Sequence, residues 1–358
     1  MHNNDMRLRR LPGAKPPTKG TRMTGINDVA RSAGVSVSTA SRAINGHSRV
    51  SRSTIDRVRK VAAELGYVRS SSAYTLATGQ NRNIGLVVPY IDRWYFTSIL
   101  SSVEAELIAA GFDLTLYNLG GRPNQREQIF SEFILRRRVD ALITVALKLT
   151  TEELETLRQL GKPVVAIGGP IEGTSTIGID DSGAAELATQ HLISLGHRSI
   201  AFIGSDPANE GDFHHPSIRR EGYLTAMRTA GLPVDAGWFL PADFTLEGGY
   251  AAAKLVMSDP RITCSGIVAA SDEMAFGAIL AARDLGIRVP DDISIVGIDG
   301  HDLAAFFGLT TVSQDPRGQG ARAARIVLDL VMRPGSAPDL ESRWPIRLAV
   351  RSSTTRAL

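Results

Sequence analysis

Residues 26–45 read INDVARSAGVSVSTASRAIN, and they decide the fold of the N-terminal part of the chain. Apolar residues recur at helical spacing from Ile26 onwards, and Gly34 is expected to end this first helix. Ser36 can cap a second helix that continues to about Asn45. Two short helices joined by a tight Ala-Gly-Val turn are typical of a helix-turn-helix unit.

A third helix is expected to complete this unit and to supply its core. Ser51 can cap that helix and Gly66 can stop it. Between them the apolar side chains fall on one stripe, formed by Ile55, Val58, Ala62 and Leu65. Three short helices of this kind predict a small all-α domain over residues 23–69.

The charge of the chain is divided unevenly between its two parts. The 358 residues carry a formal net charge of +3, but residues 1–82 hold 15 lysines and arginines against four acids. These residues therefore have a net charge of +11, and the remainder, with 25 basic and 33 acidic residues, has a net charge of −8. Such a division favours a polyanion as the partner of the N-terminal part. A basic bundle that packs against another protein is the alternative.

The second helix has the residues that reading DNA requires. In a helix-turn-helix the N-terminal residues of this helix face base edges in the major groove. Arg42 can donate two hydrogen bonds to guanine, and Val37 can contact a thymine methyl. Short polar or basic residues suited to base or phosphate contacts lie around them: Ser38, Thr39, Ser41, Asn45 and Arg49. The sequence therefore predicts binding to double-stranded DNA.

Beyond the basic part, short apolar runs alternate with stretches of helical period. Runs such as 84–89, 141–146 and 293–298 have the length of buried strands, and amphipathic stretches such as 184–195 separate them. This alternation predicts doubly wound parallel sheets. Residues 83–358 are many for one sheet, so two α/β lobes are expected, with the carboxyl ends of their strands at a shared cleft.

Several of the expected strands end in polar or aromatic residues. The side chains concerned are Tyr90, Asp92, Trp94, Phe96, Arg219, Phe244, Ser271, Asp272 and Asp299. Carboxylates and an arginine can each bind adjacent hydroxyl groups through two contacts, and a flat aromatic ring can cover the apolar face of a sugar ring. We therefore expect a sugar-binding cleft, with a nucleoside as the alternative ligand. Taken singly, Trp94 or Phe244 is more often a core residue, and Asp272 more often a helix cap.

Residues 26–45 resemble the opening signature of the lac/gal repressor family of bacterial transcription regulators. The resemblance continues through residues 64–67 to Leu76, and it extends over nearly all of residues 24–358. It implies a helix-turn-helix head followed by two lobes similar to periplasmic sugar-binding proteins of type I. It also implies a homodimer, which matches a palindromic operator.

The same resemblance implies a hinge after the third helix, which folds into a short helix on operator DNA. By position, Leu76 is the side chain that wedges into the minor groove and Ala73 is its neighbour. The family usually has a proline where this chain has Arg69, a departure that affects the hinge.

In the lobes, the resemblance implies effector contacts from residues already singled out. Arg219 opens the family's Arg-x-x-Gly-aromatic signature, Phe244 matches an aromatic that stacks on the ligand, and Asp299 matches the usual effector-binding aspartate. Gly300 stands where a second acid is frequent.

The expected domain organisation combines these observations. It comprises a disordered basic extension (1–22), the helix-turn-helix domain (23–69), a hinge helix and linker (70–82), and an effector-binding and dimerisation domain (83–358). The family resemblance implies that lobe one of this domain is about 83–181 and 311–340 and that lobe two is about 182–310 and 341–358.

Other chemistry has little support in the sequence. There is no GxxxxGK[ST] or GxGxxG motif and no spaced Cys/His cluster, so no nucleotide, metal or other cofactor is expected. Asp180-Asp181-Ser182-Gly183 superficially resembles a serine-protease motif, but the family resemblance implies a strand-to-helix junction there, at which Asp181 or Ser182 caps the helix.

The expected function is therefore repression of carbohydrate-utilisation genes by a cytoplasmic homodimer. A mono- or oligosaccharide between the lobes is expected to modulate its affinity for operator DNA. A transporter-linked sugar-binding protein is the first rival, and the basic N-terminus without an export signal counts against it. An enzyme is the second, and no catalytic constellation supports it. No apolar run approaches the ~20 residues that a membrane span needs.

Overall fold

The computed structural model describes residues 24–44, 49–67, 79–120, 124–136, 138–169, 171–205, 216–260, 263–335 and 341–357. The chain divides into two compact units, Met1–Gln80 and Asn81–Leu358. The predicted extension (1–22) and residues 70–78 of the predicted hinge, including Ala73 and Leu76, lie outside the described residues.

The first unit contains the three predicted helices. They are α1 (Ile26–Ser32), α2 (Val37–Ile44) and α3 (Arg52–Glu64). The two predicted caps are confirmed, because Ser36 Oγ accepts a hydrogen bond from the backbone N–H of Thr39 at 3.1 Å and Ser51 Oγ accepts one from Thr54 at 3.3 Å. These bonds satisfy N–H groups that the first turn of a helix leaves without an intrahelical partner.

A small apolar core holds the three helices together. Val29 of α1, Ala40 of α2 and Val58 of α3 are fully buried against one another. Gly34 adopts a φ of +65° in the turn between α1 and α2, a conformation that favours glycine. This turn places one face of α2 against the core and leaves its other face exposed.

Lobe one of the second unit is a parallel sheet with helices on its faces. Its first elements are β1 (Asn83–Val88), α4 (Trp94–Ala109), β2 (Asp113–Asn118), α5 (Gln125–Gln128), β3 (Ala141–Val145), α6 (Thr151–Leu160), β4 (Val164–Ile167) and β5 (Ser175–Gly178). The helical path of α5 continues as a π-helical turn and a short 3-10 turn. In β1, Ile84 lies between Leu114 of β2 and Ala141 of β3.

Lobe two repeats this architecture. Its elements are α7 (Asp181–Ser194), β6 (Ile200–Gly204), α8 (Pro216–Thr229), β7 (Phe239–Pro241), α9 (Leu246–Ser258), β8 (Gly266–Ala269), α10 (Asp272–Asp284), β9 (Ser294–Asp299) and β10 (Thr310–Ser313). The chain then returns through α11 (Pro316–Met332), β11 (Glu341–Arg343) and β12 (Arg347–Ala349).

The strand orders show which element belongs to which lobe. The first sheet has the order β11-β5-β4-β3-β1-β2 and the second β12-β10-β9-β8-β6-β7. All pairs are parallel except β10 with β12. The chain therefore passes between the lobes after β5, after β10 and after β11.

Two of these passages differ slightly from the expected boundaries. β10 pairs with β9 through Ser313, and β11 pairs with β5 through Arg343. Lobe two thus extends to Ser313, and lobe one extends to Arg343, because the ladder hydrogen bonds assign each strand to its sheet. The boundaries expected near residues 311 and 341 lay a few residues too early.

Each lobe has its own apolar core. Ile143 and Ile167 are fully buried in lobe one, and Phe202 and Ile267 in lobe two. Along the described residues, no helix has both the length and the apolarity that a membrane crossing requires.

Candidate functional site

A cavity lies between the two lobes, beside the carboxyl ends of their strands. Its walls are Arg93, Tyr95, Phe96, Ala146, Gly168 and Gln319 from lobe one, Ile179, Asp181, Arg219, Phe244, Ser271, Glu273 and Asp299 from lobe two, and Gln314 from the second passage. The space measures about 580 Å³ with its open mouth included.

Arg219 is the centre of the polar wall. Only 5% of this residue is exposed, and its Nε donates to Asp181 Oδ1 at 2.8 Å. Its Nη1 donates to the carbonyl of Ala270 at 2.5 Å and to Asp299 Oδ1 at 3.4 Å. Burial alone lowers the pKa of Arg219, but the two carboxylates outweigh it and raise that pKa above its usual value. Arg219 therefore carries a full positive charge between two acids.

Asp299 is held in a fixed orientation by its neighbours. Gln314 Nε2 donates to its Oδ1 at 2.6 Å, in addition to the contact with Arg219. Burial raises the pKa of Asp299, while Arg219 and Gln314 oppose that rise. A second oxygen, Oδ2, has no hydrogen-bond partner among the described residues, which leaves it available to a ligand hydroxyl.

Backbone strain is concentrated around the cavity. Among the described residues, six that are not glycine have positive φ, and three of them, Ala146, Phe244 and Asp299, line the cavity. Their φ angles are +51°, +62° and +137°. Side chains disfavour such conformations, so they persist only where the surrounding structure enforces them, as at binding sites.

Two aromatic residues of the predicted set line the cavity, and four other predicted residues do not: Tyr90, Asp92, Trp94 and Asp272. Phe96 and Phe244 face it from opposite lobes. The ring of Tyr90 lies under the guanidinium of Arg93, with the Cζ of Arg93 4.0 Å from the ring centre. Asp92 is exposed. Trp94 is also absent from the walls, since its ring lies elsewhere between the lobes.

Trp94 forms part of a contact that joins the lobes outside the cavity. Its ring stacks on His301 at 4.5 Å, and its Nε1 donates to Asp302 Oδ2 at 3.1 Å. Arg317, at the start of α11, donates to both oxygens of Asp302 at 2.8 and 2.7 Å. Arg317 lowers the pKa of Asp302 to about 2. We call these four residues the lobe latch, because two belong to each lobe.

Asp272 was predicted to contact the ligand, but it does not line the cavity and has a structural role instead. It is fully buried, and it accepts hydrogen bonds from the backbone N–H groups of Gly300 (2.9 Å) and His301 (2.7 Å) and from Thr311 Oγ1 (2.6 Å). The helix cap is the preceding residue, Ser271, which lines the cavity. Asp272 therefore fixes the loop after β9 from behind the cavity.

Gly300 has a steric role in the same loop. Its φ is +78°, and a Cβ there would lie 2.3 Å from Ser313 Oγ. This chain therefore has no room for the second acid that is frequent at this position in the lac/gal repressor family, and Gln314 supplies a contact to Asp299 instead.

The expected cap in the Asp180–Gly183 stretch was wrong in its position. Asp180 is the cap of α7, since its Oδ1 accepts from the N–H of Gly183 at 2.9 Å. Asp181 lies in the first turn and faces Arg219. Its role was missed because a carboxylate after a strand can cap a helix or enter a site, and only the position of α8 distinguishes the two.

Eight further residues of the cavity were missed by sequence reasoning. They are Arg93, Tyr95, Ala146, Gly168, Ile179, Glu273, Gln314 and Gln319. Burial raises the pKa of the Tyr95 hydroxyl, and Asp181 raises it further. Burial and then Asp299 raise the pKa of Glu273 to about 7. Glu273 directly follows Asp272, which was predicted as a site residue. This position in the sequence could have indicated that Glu273 is also near the site.

The exposed face of α2 carries the predicted DNA contacts. Val37, Ser38 and Arg42 are exposed on it, while Ala40 and Ala43 are buried beneath. Thr39 and Ser41 are partly buried at its edges, and Arg49 is exposed ahead of α3. The hydroxyls of Ser38 and Thr39 also contact Ser36 Oγ at 2.9 and 2.8 Å. Asn45 lies outside the described residues.

A metal site is not apparent in the described part of the chain, where no three His, Cys, Asp or Glu side chains are arranged to hold an ion. The polar groups of the cavity are instead arranged as hydrogen-bond donors and acceptors around Arg219 and Asp299.

Two segments of the chain match known families. Residues 25–70 match the family described as "Bacterial regulatory proteins, lacI family", and residues 189–354 match the "Periplasmic binding protein-like domain". The HTH-type transcriptional repressor PurR of Haemophilus influenzae (strain PittEE) is 31% identical over 342 residues, which are 94% of this chain and all of that relative.

Solved structures agree with this match. The "transcriptional regulator CelR-cellobiose complex" has 29% sequence identity and a TM-score of 0.67, over 92% of this chain and 99% of that one. The lac repressor dimer bound to operator and the anti-inducer ONPF shares the fold, with a TM-score of 0.81 at 23% identity, over 93% of this chain and 100% of that one. Matched over almost its whole length by a transcriptional repressor, the chain belongs to the lacI family of bacterial regulatory proteins.

Proposed function

We propose that the protein represses carbohydrate-utilisation genes and that a small sugar-like effector between the lobes changes its affinity for operator DNA. The observation that carries this proposal is the position of Arg219, held by Asp181 and Asp299 at the wall of the cavity with Phe96 and Phe244 nearby. A similar protein, the regulator CelR, is described as a complex with cellobiose.

The polar atoms that remain available suit adjacent hydroxyl groups. Nη2 of Arg219 and Oδ2 of Asp299 have no hydrogen-bond partner among the described residues. One donates and the other accepts, so together they can bind two neighbouring hydroxyls of one ring. The two phenylalanines can cover its apolar face. Asp272, already occupied by three donors, is left out of this proposed contact set.

The proposed mechanism is a change in the angle between the lobes. An effector that bridges Arg219 and Asp299 of lobe two with Tyr95 of lobe one stabilises one arrangement more than the other. Only such a difference in affinity can shift the balance, and allosteric couplings are typically ~1–3 kcal/mol. In this proposal the change reaches the hinge and releases the operator.

The proposed DNA complex is a homodimer on a palindromic operator. Val37, Ser38 and Arg42 contact base edges, and the polar residues around them, with Arg49, contact base edges or phosphates. Leu76 wedges into the minor groove with Ala73 beside it. Because its target is chromosomal DNA, we expect the protein to act in the cytoplasm and to have no enzymatic activity.

A gel-shift titration of the full chain against a pool of duplexes tests the DNA-binding part. We expect selection of a palindrome at moderate salt, and binding without sequence preference would contradict the proposal. A thermal-shift screen of sugars, with nucleosides as the alternative class, tests the effector part, since a ligand at ~100 times its dissociation constant adds ~2.7 kcal/mol of stability. Stabilisation by nucleosides alone would exclude the carbohydrate.

A further inference from the structure

The walls of the cavity carry more negative than positive charge. Asp181, Glu273 and Asp299 face it as acids, and Arg93 and Arg219 are its cations. Asp272 lies fully buried directly behind this wall, bonded to the loop that follows Asp299. A ligand that enters therefore meets a surface with an excess of carboxylates.

Both arginines are already engaged by groups of the protein. Arg219 is bonded to Asp181 at 2.8 Å and contacts Asp299 at 3.4 Å, so two acids offset its charge. The guanidinium of Arg93 lies 4.0 Å from the centre of the Tyr90 ring, and its charge also lowers the pKa of Glu273. An incoming anion would have to compete with these partners.

Helix N-termini attract anions in many proteins, but three of those near the cavity, the starts of α7, α10 and α11, carry acids of their own. Asp180 caps α7 and Asp181 lies in its first turn. Asp272 and Glu273 occupy the first turn of α10, and Asp315 caps α11. These three helices thus have their own carboxylates where a phosphate would bind, whereas α4 and α8 begin without an acid in the first turn and present Arg93 and Arg219, which other groups of the protein already engage.

From this arrangement we infer that the cavity accepts an uncharged polyhydroxyl ligand, that it rejects ligands bearing a phosphate or carboxylate, and that Glu273 is the residue that enforces the rejection. The inference rests on the proposed function and narrows its ligand class. A phosphorylated sugar and a sugar acid are both excluded by the same repulsion.

Glu273 is suited to this role because its carboxylate has no buried cation bonded to it. Burial and then Asp299 raise the pKa of Glu273, and the backbone of Trp94 and the charge of Arg93 lower it only in part. Asp181 and Asp299, in contrast, share the charge of Arg219. The charge of Glu273 is therefore the one least offset within the cavity.

Calorimetric titration of the full chain at pH 8 with matched ligand pairs tests the inference. The pairs are glucose with glucuronate, galactose with galacturonate, and ribose with ribose 5-phosphate. We expect the neutral member of any pair that binds to bind at least tenfold more tightly. Tighter binding by the charged member would overturn the inference and leave a sugar effector in place, whereas no binding in any pair would contradict the proposed function and the inference with it.

Substitution tests the role of Glu273 itself. Glu273→Gln keeps the size and the acceptor oxygen but removes the charge, so we expect the discrimination within a pair to fall at least threefold. Glu247→Gln is the matched control, because Glu247 occupies the first turn of α9 but is exposed and outside the cavity. Equal effects of the two substitutions, or no effect of Glu273→Gln, would remove Glu273 from this role.

Discussion

Replacing Arg219 with methionine is expected to destabilise lobe two strongly. Arg219 is buried between Asp181 and Asp299, at 2.8 and 3.4 Å, so its removal leaves two carboxylates without a cation. Breaking a buried ion pair by removing one partner costs ~3–5 kcal/mol. For a domain of this size that loss corresponds to a fall in Tm of about 10 °C.

The loss of stability in Arg219→Met should be larger at high pH than at low pH. In Arg219→Met, burial raises the pKa of Asp299 above its unfolded value, with no cation to oppose it. A group whose folded pKa is raised contributes stability at low pH and loses it as pH rises through the folded pKa. The deficit relative to the original protein is therefore smaller at pH 5 than at pH 8.

Thermal unfolding of the full chain at both pH values, followed by circular dichroism, measures this difference. Arg228→Met is the matched control, because the Arg228 side chain lies on the same helix but is 66% exposed. A second variant, Arg219→Met with Asp299→Asn, should recover part of the lost stability. A deficit below about 2 °C at pH 8, or an equal deficit at both pH values, would refute the compensation of these acids by Arg219.

Three other predictions concern the DNA surface, the lobe latch and Glu273. Arg42→Ala should cost ~1–3 kcal/mol in operator binding and relax specificity at one base pair of each half-site; uniform weakening across operator variants in a gel shift would place Arg42 on phosphate instead. Asp302→Ala should lower the free energy needed to separate the two lobes by ~1–2 kcal/mol, since it removes the exposed two-point ion pair with Arg317 and the hydrogen bond from Trp94. Hydrogen exchange at the start of α4 should then accelerate, but should not in Asp292→Ala, which breaks an ion pair within lobe two. Discrimination against glucuronate should weaken as pH falls through about 7, where Glu273 becomes protonated; a pH-independent ratio in calorimetry would contradict that assignment.

The local features of the fold were predictable because neighbouring residues determine them. Ser36 and Ser51 cap their helices through bonds to residues three positions later, a spacing visible in the sequence. Arg219 and Asp299 were predictable as site residues because each lies at the cavity end of its strand or helix, where open α/β sheets bring such residues together.

Other features depend on how distant segments meet, which spacing does not encode. Gln319 reaches the cavity only because α11 returns to lobe one after β10, and its Nε2 then donates to the carbonyl of Gln314 at 2.7 Å. Asp272 has the residue type of a ligand contact, but the fold of the loop after β9 supplies three donors that occupy it. Trp94 lies beside the predicted strand end, but its ring pairs with His301, more than two hundred positions away along the sequence.

The three passages of the chain between the lobes restrict how the lobes can move. Three separate covalent connections at one side of the cleft, after β5, β10 and β11, act as parallel tethers. They oppose sliding and separation and leave rotation about the line that joins them as the softest movement. Gln314 lies in the middle tether and is bonded to Asp299, so a ligand that pulls on Asp299 acts close to this axis. Ligands of different shape would then turn the lobes about the same axis by different amounts.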